Sequence, residues 1–329
     1  MISVIIPLFN KEKTIEKTIK SILNQNYNNF EIIIINDGSY DNSADIVSQM
    51  KDSRIKLFDQ VNNGQSSARN NGISKASGNI VAFLDGDDCW EKNHLETIMD
   101  LSYKYNNASL YATAYNSLYS NNFSLVTQYL PRNKESCIIK DYFNIASSEP
   151  FIWVSAVAVK REVFSKIGLF IEKEHRGADR EMWARIALNF NIAYTSKITA
   201  IYNCKDPGQE TKKSRKLQFP PLINLLDKAI DNGSSIEQNK KSLIKYKNKI
   251  LFGYFGKALS SNDIIEIKNH IKLVRIINFI TFIKIIFWKV SLYLPSSVPL
   301  FILSAIHSRY LYYLKIKKSH YGIMKYRPR

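Results

Sequence analysis

Asn79-Ile80-Val81-Ala82-Phe83-Leu84-Asp85-Gly86-Asp87-Asp88 runs from five apolar residues straight into three carboxylates within four positions. An unbroken apolar run stopped by Asp-Gly predicts a strand buried on both faces, as in a parallel sheet covered by helices. Similar short runs stand upstream at residues 3–6, 31–35 and 54–58. Between the first two, residues 11–25 place Ile15, Ile19, Ile22 and Leu23 at helical spacing, with Asn10 as the expected N-cap. Alternation of this kind over residues 1–100 predicts βαβ units around a parallel sheet.

Residues 109–204 read differently. Runs at 110–115 and 124–129 suggest a meander, followed by a strand at 153–159, a helix over 179–190 and a closing strand at 198–202. The expected class is therefore α/β with mixed strands in its second half. Cys204-Lys205-Asp206-Pro207-Gly208 ends the strand pattern, and helical patterns follow at about 216–231, 236–260, 271–294 and 299–318.

Charge marks the same boundary. The 329 residues carry a net charge of +17, yet residues 1–204 hold 22 basic and 22 acidic side chains, while residues 205–329 hold 24 and 7. This excludes a uniformly basic nucleic-acid coat and predicts a neutral domain, 1–204, with a basic appendage, 205–329. With 45% hydrophobic residues the chain is not disordered. Cys89, Cys137 and Cys204 form no CxxC pair, which suits a reducing compartment rather than a disulfide framework or zinc site. The start, Met1 to Pro7, lacks a basic n-region and is read as a first strand of a cytoplasmic protein.

Three acidic features fall where strands end: Asn36-Asp37-Gly38-Ser39, the Asp85–Asp88 run, and Asp179 at the start of a helix. Ligands of open α/β sheets bind beyond the carboxyl ends of the strands. Read singly, Asp37-Gly38 is equally a turn and Asp179 equally a helix cap. Three carboxylates in four residues repel one another unless a positive group joins them. A hard divalent cation would do so, and an oxygen-only donor set selects Mg²⁺ or Mn²⁺. Such an ion completes its shell with water and phosphates, which points to a metal-bound diphosphate. The plainer alternative is an acidic loop capping the helix after Trp90.

Taken together, Val4-Ile5-Ile6-Pro7-Leu8-Phe9-Asn10, Ser21 to Gln25, Asn36 to Ser39, Asn62-Asn63-Gly64 with Ala68 to Gly72, Phe83 to Asp88, Val159 to Phe170 and Ala178 to Trp183 resemble the family-2 glycosyltransferases. The resemblance spans residues 1–204 and leaves 205–329 outside it. It implies the GT-A fold, a Rossmann-like mixed sheet, with residues 1–100 as the nucleotide-binding half and 101–204 as the acceptor-binding half. It also implies inverting transfer. Pro7 and Phe9 would line the base pocket, with Phe9 stacked on a uracil, and Asp37 would accept from the base. Arg69 and the turn from Asn62 to Gly64 would lie near ribose and diphosphate. Asp85 and Asp87 would form the family's DxD, Asp87 as the metal ligand and Asp85 nearer the ribose. Asp179 would be the catalytic base.

Position 178 is Ala where many members carry Glu, and Glu181 points to another side of the helix. No Trp here stands in the Gln-x-x-Arg-Trp context of processive members, which implies addition of one sugar per encounter. Trp153 and Trp183 read either as core or as acceptor-sugar contacts. His175 reads as a solvated loop histidine.

Residues 275–294 are too apolar for an ordinary surface helix, but Lys284 and Lys289 interrupt them and Pro295 and Pro299 break the next stretch, 300–306. No clean run of about 20 apolar residues exists. An interfacial helix on an anionic membrane is expected, the alternative being a helical subdomain packed on the catalytic domain. The expected activity is transfer of one sugar from a nucleotide donor, UDP-glucose or UDP-galactose, to a saccharide on undecaprenyl diphosphate, at the inner face of the cell membrane, in O-antigen or capsule synthesis. Two alternatives stay open: a metal-dependent nucleotidyltransferase, and a nucleic-acid-binding protein acting through the basic tail.

Overall fold

The computed structural model describes residues 1–119, 124–127, 135–148, 151–172, 177–204, 217–233, 239–261 and 263–293. The chain divides into two compact units, Met1–Tyr142 with Pro150–Lys213, and Phe143–Glu149 with Ser214–Arg329.

The first unit opens with β1 (Ile2–Leu8), α1 (Ile15–Leu23), β2 (Phe30–Asp37), α2 (Ser43–Gln49), β3 (Ile55–Gln60), α3 (Gln65–Lys75) and β4 (Ile80–Phe83). Every residue of β1, β2 and β4 is buried. One face of β1, with Ile2, Val4, Ile6 and Leu8, joins Ile15, Ile19 and Ile22 of α1 in a single core. Each such side chain contributes about 1.5–3 kcal/mol by leaving water. The other face meets α3 so closely that a Cβ on Gly72 would lie 2.4 Å from Ile5 Cγ2. Only glycine fits there.

The chain continues through β5 (Cys89–Trp90), α4 (His94–Lys104), β6 (Ala108–Leu118), β7 (Ser124–Thr127), β8 (Ser136–Ile138), α5 (Tyr142–Ala146), β9 (Val157–Lys160), α6 (Glu162–Ile167), α7 (Ala178–Asn189) and β10 (Asn191–Asn203). Among the described residues one sheet has the order β3-β2-β1-β4-β9-β6-β10-β5, with β7 on β6 and β8 on β10. β1 to β4 pair in parallel, whereas β9 is antiparallel to both β4 and β6. From β1 the chain winds one way to β2 and β3, then crosses to β4 on the other side. The crevice at the carboxyl ends of β1 and β4 is thus the topological switch point.

Several expectations shift. The helix expected over 11–25 begins only at Ile15, with Thr14 as its N-cap, and Asn10 adopts φ +52° instead of capping it. The reason lies in the preceding loop, where the Asn10 and Lys11 amides donate to Ser39 Oγ and Ser43 Oγ. The expected strand over 153–159 starts as a 3₁₀ turn, Val154–Ala156, before β9. The closing strand expected at 198–202 is β10, thirteen residues long, whose bulges near Thr195 and Ile198 break the alternation that would reveal it. In the meander, β7 pairs antiparallel with β6, and residues 128–129 lie outside the described ones.

The second unit contains α8 (Leu222–Asn232), α9 (Lys240–Ser260), α10 (Ile264–His270) and α11 (Phe279–Ser291). Its core gathers Ile223, Leu251, Phe255, Leu259, Ile267 and Trp288. Lys247, 1% exposed, is tolerated there because Asp227 pairs with it. The helix expected over 271–294 is broken across 274–278, since Asn248 holds the backbone of Arg275 by both its amide and its carbonyl and Asn278 caps α11 through Thr281 N. The helical pattern at 299–318, the prolines before it and His175 lie outside the described residues.

Candidate active site

The acidic run leaves β4 and folds into a tight turn, in which the Asp88 amide donates to Asp85 O at 3.0 Å. Helix α1 grips this turn from below. Thr14 Oγ1 donates to Gly86 O at 2.8 Å, and Thr18 Oγ1 donates to Asp88 O at 2.8 Å. Each of the three carboxylates then meets its own partner. Asp85 Oδ1 accepts from Arg69 Nη2 at 2.7 Å and from Gln65 Nε2 at 2.9 Å. Asp87 Oδ2 pairs with Lys11 Nζ at 2.6 Å. Asp88, fully buried, accepts from Ser155 Oγ at 2.5 Å, from Trp153 Nε1 at 2.9 Å and from the Asn203 amide at 2.9 Å.

This corrects one step of the sequence argument. Repulsion among three carboxylates requires compensation, but Lys11 and Arg69 supply it from the chain itself. Asp88 takes a different course: burial, and then the charges of Asp85 and Asp87, push its carboxyl up to about 8. It acts as a clamp that ties the turn to β10 and to the segment before β9.

Asp37, 3% exposed, ends β2. Its Oδ1 accepts from the Asn63 amide and Gln60 Nε2, and its Oδ2 from the Gly64 amide, at 2.8–2.9 Å. The carboxylate therefore shapes the turn from Asn62 to Gly64, where Gly64 takes φ +89°, and it retains acceptor capacity for one more donor. Pro7 is buried in β1 opposite Ile35. Phe9 is half-buried just beyond, its ring 5.9 Å from that of Tyr40 in an edge contact. Pro7, Phe9, Asp37, Asn62, Gly64, Arg69, Asp85 and Asp87 thus all stand at or just past the carboxyl ends of β1, β2 and β4, or on the turn and helix beside them.

Asp179 lies at the start of α7, a helix that packs on β4 through Trp183. It is the second residue of α7, and one turn further on Trp183 packs its ring 6.3 Å from Phe83 and 6.0 Å from Phe170. Phe83 lies two residues before Asp85. The segment around Phe170 is itself tied to α3, because Asn70 bonds both the amide and the carbonyl of Phe170 and Arg69 lies over its ring at 5.7 Å. Asp179 is partly exposed and has no hydrogen-bond or ion-pair partner among the described residues. Glu181 differs: it is 5% exposed and paired with Arg185 at 2.7 Å, a structural role. Trp183, 1% exposed, is core and not a sugar contact. Trp153 is half-buried, its ring 4.1 Å from Tyr202.

Sequence reasoning missed Lys11, Thr14, Thr18, Gln65 and Ser155. No spacing marks them, since Lys11 meets Asp87 across 76 positions and Ser155 meets Asp88 across 67.

Among the described residues no group of three or more His, Cys, Asp or Glu side chains is placed to hold a metal ion. The donors on offer are Asp85 and Asp87, 14% and 12% exposed, each held by a cation of the chain. Two oxygen donors fit an ion that takes the rest of its shell from water and a diphosphate, once Lys11 moves off Asp87.

Residues 3–168 match the family described as Glycosyl transferase family 2. A relative from Escherichia coli, the UDP-Glc:alpha-D-GlcNAc-diphosphoundecaprenol beta-1,3-glucosyltransferase WfgD, is 32% identical over 195 residues, covering 59% of this chain and 72% of that protein. An uncharacterized glycosyltransferase of Rickettsia bellii is 47% identical over 96 residues, which are 29% of this chain and only 14% of the longer relative. Among solved structures, Staphylococcus aureus TarS 1–349 in complex with UDP-GlcNAc superposes with a TM-score of 0.68 at 18% identity, over 83% of this chain and 81% of that one, a likeness of fold. The sheet order, the clamped acidic turn after β4 and these matches agree, and the chain belongs to glycosyl transferase family 2, with the GT-A fold.

Proposed function

We propose that this chain transfers a single sugar, with inversion, from a UDP-linked donor such as UDP-glucose or UDP-galactose to a saccharide carried on undecaprenyl diphosphate, in the assembly of a bacterial surface polysaccharide. The observation that carries the reading is the acidic turn after β4, whose Asp85 and Asp87 stand beside the carboxyl ends of β1 and β4, each paired with a cation of the chain. The name of the Escherichia coli relative supports the lipid-linked acceptor and a UDP-glucose donor.

In this reading Phe9 stacks on the base, Pro7 backs it, and Asp37 accepts from it with its remaining acceptor site. Asn62 and Gly64 line the ribose and diphosphate, with Arg69 beside them. Asp179 takes the proton of the acceptor hydroxyl as that oxygen attacks the anomeric carbon and the bond to the nucleoside diphosphate breaks. A base needs a vacant oxygen within hydrogen-bond reach, and Asp179 has no paired cation among the described residues. Asp87, with Asp85 beside it, would hold Mn²⁺ or Mg²⁺, whose charge would stabilise the departing diphosphate by several kcal/mol. Lys11 and Arg69 hold the two carboxylates in place until then.

A nucleotidyltransferase is less favoured, because the β1–α1 loop, Phe9 to Thr14, contains no glycine. The lipid carrier would place the enzyme on the inner face of the membrane as a peripheral protein. No helix among the described residues is long and apolar enough to cross one. The test is a screen of nucleotide sugars with Mn²⁺ or Mg²⁺, reading the released nucleotide. Release of UDP from UDP-glucose or UDP-galactose is expected, and turnover confined to non-uridine donors would overturn the donor assignment.

A further inference from the structure

Helix α11 is apolar on two faces. Thr281, Trp288 and Ser291 are buried, with the Trp288 ring 5.6 Å from Phe255 of α9, so one face packs into the second unit. Among the described residues the other face is exposed: Ile280 is 65% exposed, Ile283 48%, Ile286 41% and Val290 50%, and Tyr293 follows at 88%. At about 100° per residue the four aliphatic side chains fall within an arc of about 120°. Lys289 flanks one edge, and Lys284, past the other, holds its ammonium 5.4 Å from the Phe252 ring of α9. An ordinary surface helix is polar on its outer side. The charge beyond it is equally one-sided: from residue 267 to 329 the sequence has 12 Lys and Arg and no Asp or Glu.

We propose that this face docks on an anionic phospholipid surface, with Ile280, Ile283, Ile286 and Val290 at the acyl boundary and Lys289 at the headgroups. The proposal rests on the reading of a lipid-linked acceptor and names the surface that brings the enzyme to it. Three observations select a bilayer as the occupant. An exposed aliphatic stripe edged by lysine is the pattern of an interfacial helix. A stretch with 12 cations and no carboxylate is complementary to anionic lipid and repels a second copy of itself. The 13 residues of α11 reach only about 20 Å, against about 30 Å of hydrocarbon, so the helix lies on the surface without spanning it.

The test is co-sedimentation of the 329-residue chain with phosphatidylcholine vesicles, with and without 30% phosphatidylglycerol. It is read without donor or acceptor, so its outcome and that of the nucleotide-release screen are independent. Wild type is expected to bind the anionic vesicles at least tenfold more tightly, and to weaken as salt is raised. Ile283→Asn with Ile286→Asn lowers that affinity at least tenfold, and Lys289→Glu lowers it about fivefold or more. Circular dichroism and UDP release stay at wild-type levels, because the altered side chains are exposed and play no part in the chemistry. If the double variant is misfolded, the Lys289→Glu and salt arms decide alone. Equal binding to neutral and anionic vesicles overturns the proposal. So does wild-type affinity in a folded double variant, or self-association in ultracentrifugation that the double variant abolishes while vesicle affinity is unchanged.

Discussion

The acidic turn after β4 and the first turn of α7 both carry carboxylates, yet they are built in opposite ways. In the turn, Asp85, Asp87 and Asp88 are each held, by Arg69, by Lys11, and by Ser155, Trp153 and the Asn203 amide. At α7, Asp179 has no such partner among the described residues. Held carboxylates suit a binding task, because their position is set before the ligand arrives. An unheld one suits proton transfer, because its oxygens stay available. The difference teaches that burial and pairing, more than residue type, set four aspartates apart, and the proposed division of binding and proton transfer follows that contrast.

The strongest way to break this comparison is Asp179→Asn, which removes the proposed base and keeps the shape. Transfer is expected to fall by about 10²–10⁴-fold in a radiolabelled-sugar assay, the range for loss of general-base catalysis. Retention of more than a tenth of the wild-type rate would assign the base elsewhere.

Next in size is Asp88→Ala. It strands the Trp153 indole, the Ser155 hydroxyl and the Asn203 amide, each costing about 1–3 kcal/mol when left unpaired, so a drop of several kcal/mol in urea unfolding is expected. Asp88→Asn sharpens the same point through pH. The folded carboxyl is raised to about 8 from an ordinary 3.8, so the folded chain keeps a proton that the unfolded chain has released. That stabilisation is complete below about pH 4 and is lost as pH rises through 8. Between about pH 6.5 and 8 urea midpoints should decline in wild type and flatten in Asp88→Asn; at lower pH, burial holds His94 down at about 3, which opposes the trend, so the midpoint should stay level in wild type and rise with pH in Asp88→Asn.

The smallest effect is expected from Trp153→Phe, which removes one donor to Asp88. A loss of about 1–2 kcal/mol in stability, with transfer reduced less than threefold, would mark Trp153 as part of the clamp. A large rise in acceptor KM at unchanged stability would instead make it a sugar contact.

Much of this division could be read before the fold was known. β1, β2 and β4 were legible because continuous Ile and Val runs have no other economical burial than a covered parallel sheet. The Asp85–Asp88 run stood out because like charges so close demand a reason. What compensates them was not legible, since Lys11 arrives from a loop 76 positions away and its place depends on how α1 docks. Helix α1 was overextended for a related reason. Lys11 and Asn10 fit a helical pattern, but their amides are taken by Ser39 and Ser43 across the crevice. In β10 the bulges hid the period, and at α11 the break across 274–278 comes from Asn248, a tertiary contact.

The central claim is that the turn binds the donor while Asp179 does the chemistry, and calorimetric titration of the UDP-sugar with Mn²⁺ tests it most directly. Asp179→Asn should bind donor within twofold of wild type, whereas Asp87→Ala should bind it at least tenfold more weakly, and only when Mn²⁺ is present. Equal weakening in the two variants, or tight metal-dependent binding retained by Asp87→Ala, would contradict the account.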